Sequence, residues 1–108
     1  MDLYIRMQGI EDAAELQKYV ERRVGFAFDS FGEAVTFVRV RLADQNGPKG
    51  GVDKSCRVTA VARPALTVLI EEVDADEHAA VSRAVGRAAA TLRRALDRVH
   101  RSRLRKLS

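Results

Sequence analysis

Hydrophobic and polar residues divide this chain into six segments. Between residues 2 and 7, Leu3, Ile5 and Met7 alternate with Asp2, Tyr4 and Arg6, the period of a strand with one buried face. Gly9 breaks that strand. Asp12 with Glu15 three positions on has the form of a capping box, and Leu16, Val20, Val24, Ala27, Phe28 and Phe31 then recur at helical spacing until Gly32. Alternation returns at 35–42, where Val38, Val40 and Leu42 oppose Phe37, Arg39 and Arg41. It returns again at 54–63, where Cys56, Val58, Ala60 and Ala62 oppose Arg57, Thr59 and Arg63. A fourth strand at 66–73 puts Val68 and Ile70 on the core side, after a turn at Pro64-Ala65. The last segment, 74–105, reads as one long helix opened by Asp74 and Glu77 as a second capping box. Its apolar stripe is Val81, Val85, Ala88, Leu92, Ala95 and Val99.

The element order is therefore β-α-β-β-β-α, an α+β fold. A helical crossover makes the first two strands parallel, and the short connections that follow make the next pairs antiparallel. The expected architecture is a four-stranded mixed sheet with both helices packed on one face. The other face stays open and carries Tyr4, Arg6, Arg39, Arg41, Arg57 and Thr59. Between the second and third strands DQNGPKGGVD (44–53) is too long for a tight hairpin and reads as a mobile loop. About 28 helical residues span roughly 40 Å, against roughly 27 Å for an eight-residue strand, so the last helix should overhang the body. One domain over 1–100 with a basic C-terminal extension over 101–108 is the expected organisation.

Charge matters here through its distribution. Nineteen Lys and Arg against fifteen Asp and Glu leave a formal net charge of +4, with most of the excess after Ser82. Arg83, Arg87, Arg94, Arg98 and Arg101 repeat along the last helix, rotated away from its apolar stripe. In the first helix Lys18 and Arg22 are four apart and share a face, with Arg23 beside them. Basic stripes on two helices favour an anionic partner, and RNA read through its backbone and shape suits the scarcity of aromatic residues near them. A membrane is disfavoured, since the basic helix offers no Trp or Phe to insert. No DNA partner is expected.

Other chemistries are weaker. Asp74, Asp76, Glu77 and His78 could suggest a metal, but helix capping accounts for the acids, and His78 and His100 are too far apart on one helix for a single ligand set. Cys56 lies on the apolar phase of its strand, as a buried small residue rather than a nucleophile, and a lone cysteine suits a reducing cytoplasm. GPKGGVDKS (47–55) imitates a phosphate-binding loop but places Asp53 where that motif needs glycine, and no helix follows. What remains there is a loop carrying Lys49 and Lys54. Without an acid/base pair in a cleft, no catalytic residue, metal or cofactor is assigned and no enzyme is expected. Asp2 and Arg6 interrupt the apolar run that a secretory signal would need.

LQKYVERRV (16–24), DKSCRV (53–58) and DADEHAAVSRA (74–84), in this order and spacing, resemble the bacterial ribosome hibernation-promoting factors and ribosome-associated inhibitors. The resemblance spans nearly the whole chain. It implies binding to ribosomal RNA in the mRNA and tRNA channel of the small ribosomal subunit, and inhibition of translation in stressed, idle cells. By position it assigns RNA contacts to Arg22 and Arg23 in the first helix and to Arg87, Arg93 and Arg94 in the last. Lys18, Arg83, Arg98 and Arg101 join them through their neighbourhood here. Where the family often has an aromatic residue followed by Ala-Ala-Ile-Asp, this chain has His78, Ala79, Ala80, Val81 and Ser82. Longer members add a linker and a domain that pairs ribosomes; with the sequence ending at Ser108, the short form is expected. The competing readings are a non-enzymatic protein-interaction module and a generic RNA-binding module of the same fold. Self-association through the open sheet face is left open.

Overall fold

The computed structural model describes residues 1–44 and 53–107. Four strands, β1 (Asp2–Gln8), β2 (Val35–Asp44), β3 (Lys54–Ala62) and β4 (Leu66–Asp74), form one sheet in the order β1-β2-β3-β4. β1 runs parallel to β2, and the other two pairs are antiparallel. Helix α1 (Ala13–Phe28) crosses over between β1 and β2, and α2 (Glu77–Leu107) follows β4. Leu16, Val20, Val24 and Phe28 of α1 and Val81, Val85, Ala88 and Leu92 of α2 meet the inward residues of β2, β3 and β4 in one core. The fold is the α+β arrangement expected. Residues 45–52, most of the expected loop and Lys49 with it, lie outside the described residues.

Period-two burial explains each strand. Val38, Val40 and Leu42 are buried against Cys56, Val58 and Ala60 of β3, while Arg39, Arg41 and Arg57 point to the opposite face. The register of β2 shifts between Val35 and Phe37, so Val35 is also buried despite its odd spacing from Val38. Gly9 ends β1 with φ of 70°, and a Cβ there would stand 3.2 Å from the Asp44 carbonyl oxygen, which favours glycine twice over.

The helix boundaries differ from the capping boxes read in the sequence. Asp12 is left-handed (φ 50°, ψ 42°) and its carboxylate caps nothing; its carbonyl receives the Leu16 amide at 3.1 Å. A capping side chain needs extended backbone at that position, which Asp12 lacks. α1 also stops at Phe28, short of Gly32, and the chain continues through a 3-10 segment, Asp29–Ala34, kinked at Gly32. At the start of α2 the cap is Asp76, whose Oδ1 accepts the His78 amide at 3.0 Å, while Asp74 Oδ1 accepts the Asp76 amide at 2.9 Å. Asp74 remains the last residue of β4. Asp76→Ala is accordingly expected to cost about 1 kcal/mol, whereas Asp12→Gly, which relieves the positive φ, should be neutral within about 0.5 kcal/mol. Urea denaturation of the two variants checks both.

Thirty-one residues in α2 correspond to about 46 Å of helix at 1.5 Å per residue, longer than any strand beneath it. It remains helical through Leu107, and residues 101–107 are all exposed. The principal extents, 59 × 22 × 17 Å, record that projection. Among the described residues no helix is long and apolar enough to cross a membrane.

Candidate nucleic-acid interface

α2 owes its shape to two sequences interleaved on one helix. Small residues, Ala80, Ala84 and Ala88, are fully buried with Val81, Val85 and Leu92, so the helix lies close to β3 and β4. Arginines occupy the neighbouring phase. Their surroundings separate them into groups that the sequence alone does not distinguish.

Arg83 and Arg87 are tied to the sheet edge. Arg83 Nη2 lies 3.0 Å from Asp74 Oδ2 and donates to the Val73 carbonyl at 3.0 Å, and its Nε stands 3.5 Å from Glu72 Oε1. Arg87 Nη1 is 3.1 Å from Glu72 Oε2. Glu72 and Asp74 keep the inward phase of β4 past Ile70, where the core ends and α2 presents its flank. Both arginines are about half exposed, so each pair contributes at most about 1 kcal/mol, yet together they neutralise charge at this end of the stripe. Farther along, among the described residues Arg94 donates to Thr91 Oγ1 alone, at 3.3 Å and within its own helix. Arg98 and Arg101 are exposed, and among the described residues neither has a carboxylate within ion-pair distance.

Arg93 faces the other way. It donates to Ser30 Oγ and its guanidinium lies 4.6 Å from the centre of the Phe31 ring, so it fastens α2 to the segment after α1. Near the start of α2, His78 packs edge-on against Tyr19 with ring centres 4.7 Å apart. The two helices therefore run in the same direction, with Arg93 on the side toward α1 and Arg83 and Arg87 on the side over the β4 edge. On α1 itself Lys18 and Arg22 are exposed, whereas Arg23 is half-buried and its Nε is buried without a hydrogen-bond partner among the described residues.

The nine residues singled out in the sequence thus occupy separate places. Arg94, Arg98 and Arg101 continue the flank begun by Arg83 and Arg87, and among the described residues these three have no carboxylate within ion-pair distance. Lys18 and Arg22 lie exposed on α1, a separate element from that row. Phe26 was not foreseen: it is 80% exposed and sits one turn from Arg22. Its position midway between Val24 and Phe28 of the buried stripe was the available signal.

The alternative chemistries meet definite surroundings. Burial pushes the Cys56 thiol up to about 12, which makes it a poor nucleophile. Asp74 and Asp76 are engaged in the turn and cap described above. Lys54, from the supposed phosphate loop, lies 3.2 Å from Asp44 Oδ2 and 3.3 Å from Asp53 Oδ1, and the Asp44 bond raises its ammonium above the ordinary value. That pairing closes the β2–β3 end of the sheet.

The profile of the sigma 54 modulation protein / S30EA ribosomal protein family matches residues 3–100. Among solved structures, the chain is similar to the Protein Y N-terminal domain of Thermus thermophilus, with 24% identity and a TM-score of 0.69 over 87% of this chain and 98% of that one. It is also similar to a ribosomal subunit interface protein from Coxiella burnetii, with 12% identity and a TM-score of 0.72 over 90% of this chain and 99% of that one. No curated protein sequence matches the chain.

Proposed function

Since the chain belongs to the sigma 54 modulation protein / S30EA ribosomal protein family, we propose that it is a ribosome hibernation factor which binds the small ribosomal subunit through its basic helices. The observation that carries the reading to particular residues is the row Arg94, Arg98 and Arg101 on α2, exposed and without carboxylate partners among the described residues. Guanidinium groups three or four residues apart present forked donors along one line, as a phosphate backbone requires. The overhanging end of α2 lengthens that line beyond the sheet.

The mechanism is occupancy. A narrow body with a projecting basic helix fills the channel that mRNA and tRNA share, held by ribosomal RNA phosphates, and translation stops because the substrates are excluded. No bond is made or broken, so the protein acts without catalysis or cofactor, in the cytoplasm where ribosomes work. Lys18, Arg22 and Arg23 supply contacts from α1, with Arg93 fixing the angle between the two helices. Competition tests this reading directly. Titrating the protein onto small subunits loaded with initiator tRNA is expected to displace the tRNA stoichiometrically, and stable simultaneous binding of both would contradict it.

A further inference from the structure

The face of the sheet turned away from the helices carries a second basic site. Pairing aligns Arg6 of β1 with Arg41 of β2 and Arg41 with Arg57 of β3, so three arginines stand directly opposite one another across adjacent strands. Strands are about 4.8 Å apart, and like charges directly opposite destabilise a sheet. Arg39 lies in the next row. Against these four, the face offers Glu71, which takes both Nε and Nη2 of Arg57 on one oxygen at 3.1 and 2.9 Å, Asp2 at the far end, and Asp44, which is paired with Lys54 and lines the recess beside Arg41 and Arg57.

Aromatic rings adjoin the arginines. Tyr4 is 53% exposed and meets Phe37 edge-on at 6.0 Å, and the Arg39 guanidinium lies 5.5 Å from the Phe37 ring centre. Two open recesses, of about 480 and 460 Å³, flank the arginine row and share Arg41. One contains Arg57 and Ser55, and the other contains Tyr4, Arg6 and Arg39.

We infer that this face binds a single strand of RNA, with a base stacked at Tyr4 and phosphates on Arg6, Arg39 and Arg41, the arginines of the recess that Tyr4 lines. Charge complementarity requires a polyanion, and an exposed ring beside a cationic row suits a strand whose bases are unpaired rather than a duplex, whose bases are already stacked. An acidic peptide would satisfy the arginines but leave Tyr4 without a role. The choice of RNA as the strand rests on the ribosomal reading above; the site itself is separate from the helices.

Fluorescence anisotropy with a labelled ten-nucleotide RNA of mixed sequence tests the proposal on the full chain. Tyr4→Ala should weaken binding about tenfold, the loss of one stacked base, and Arg6→Gln with Arg41→Gln by at least as much. Arg6→Gln with Arg41→Gln should melt no lower than wild type by circular dichroism, because removing opposed like charges does not weaken the sheet, and Tyr4→Ala, which also loses its contact with Phe37, should still melt in one cooperative transition. The proposal is overturned if the sheet-face variants bind the strand as wild type does, or if an RNA duplex or a polyglutamate peptide binds as tightly as the single strand. Ribosome sedimentation reads the helices, so a failure there would be distinguishable from a failure here.

Discussion

Arg94→Glu combined with Arg98→Glu is expected to weaken binding to the small ribosomal subunit by at least about a hundredfold without lowering stability. Each charged hydrogen bond to phosphate contributes about 1.5–3 kcal/mol, so losing two corresponds to about 3 kcal/mol or more before the repulsion of the new carboxylates is counted. Stability should hold within about 0.5 kcal/mol, since both side chains are exposed and neither is paired with a carboxylate of the sheet. The choice of positions follows from the structure. Arg87→Glu would remove the ion pair to Glu72 and set two carboxylates side by side, so a loss of binding there would mix local disruption with lost contact. Filter binding or sedimentation at fixed salt, beside a urea melt, separates the two effects.

Leu92→Ala is expected to have the largest effect on the fold, about 3 kcal/mol of lost stability. Most of the buried stripe of α2 consists of alanine and valine, and Leu92 is its one large, fully buried side chain. Truncating it leaves a cavity that neighbouring small residues cannot fill. A domain of this size is stable by about 5–15 kcal/mol, so the variant should still fold while its urea midpoint falls markedly. A loss below about 1 kcal/mol would mean that α2 is less firmly seated than its burial indicates.

Most of the architecture was legible because burial follows period. Val38, Val40 and Leu42 in one strand and Val81, Val85 and Leu92 in the last helix announce their buried faces at spacings that only one element type satisfies. Local boundaries were less legible, because a side chain's role depends on backbone angles that the residue type does not specify. Asp12 and Asp74 both begin a D-x-x-E pattern, yet Asp12 adopts a left-handed conformation and Asp74 ends a strand, and the working cap is Asp76. The candidate interface divides in the same way. That the arginines of α2 avoid its apolar stripe follows from periodicity alone. That Arg83 and Arg87 are held by Glu72 and Asp74, while Arg93 turns to Ser30 and Phe31, depends on contacts between residues far apart in sequence. The row of Arg6, Arg41 and Arg57 likewise exists only through strand register.

Co-sedimentation of the purified protein with small subunits across a salt series tests the ribosomal reading most directly. Saturable pelleting near one protein per subunit is predicted at low salt. With about five phosphate contacts, affinity should fall several hundredfold between 50 and 200 mM salt. Weak pelleting that never saturates, and that free RNA competes away as readily as small subunits do, would contradict the account and leave a basic protein of this fold without a ribosomal site.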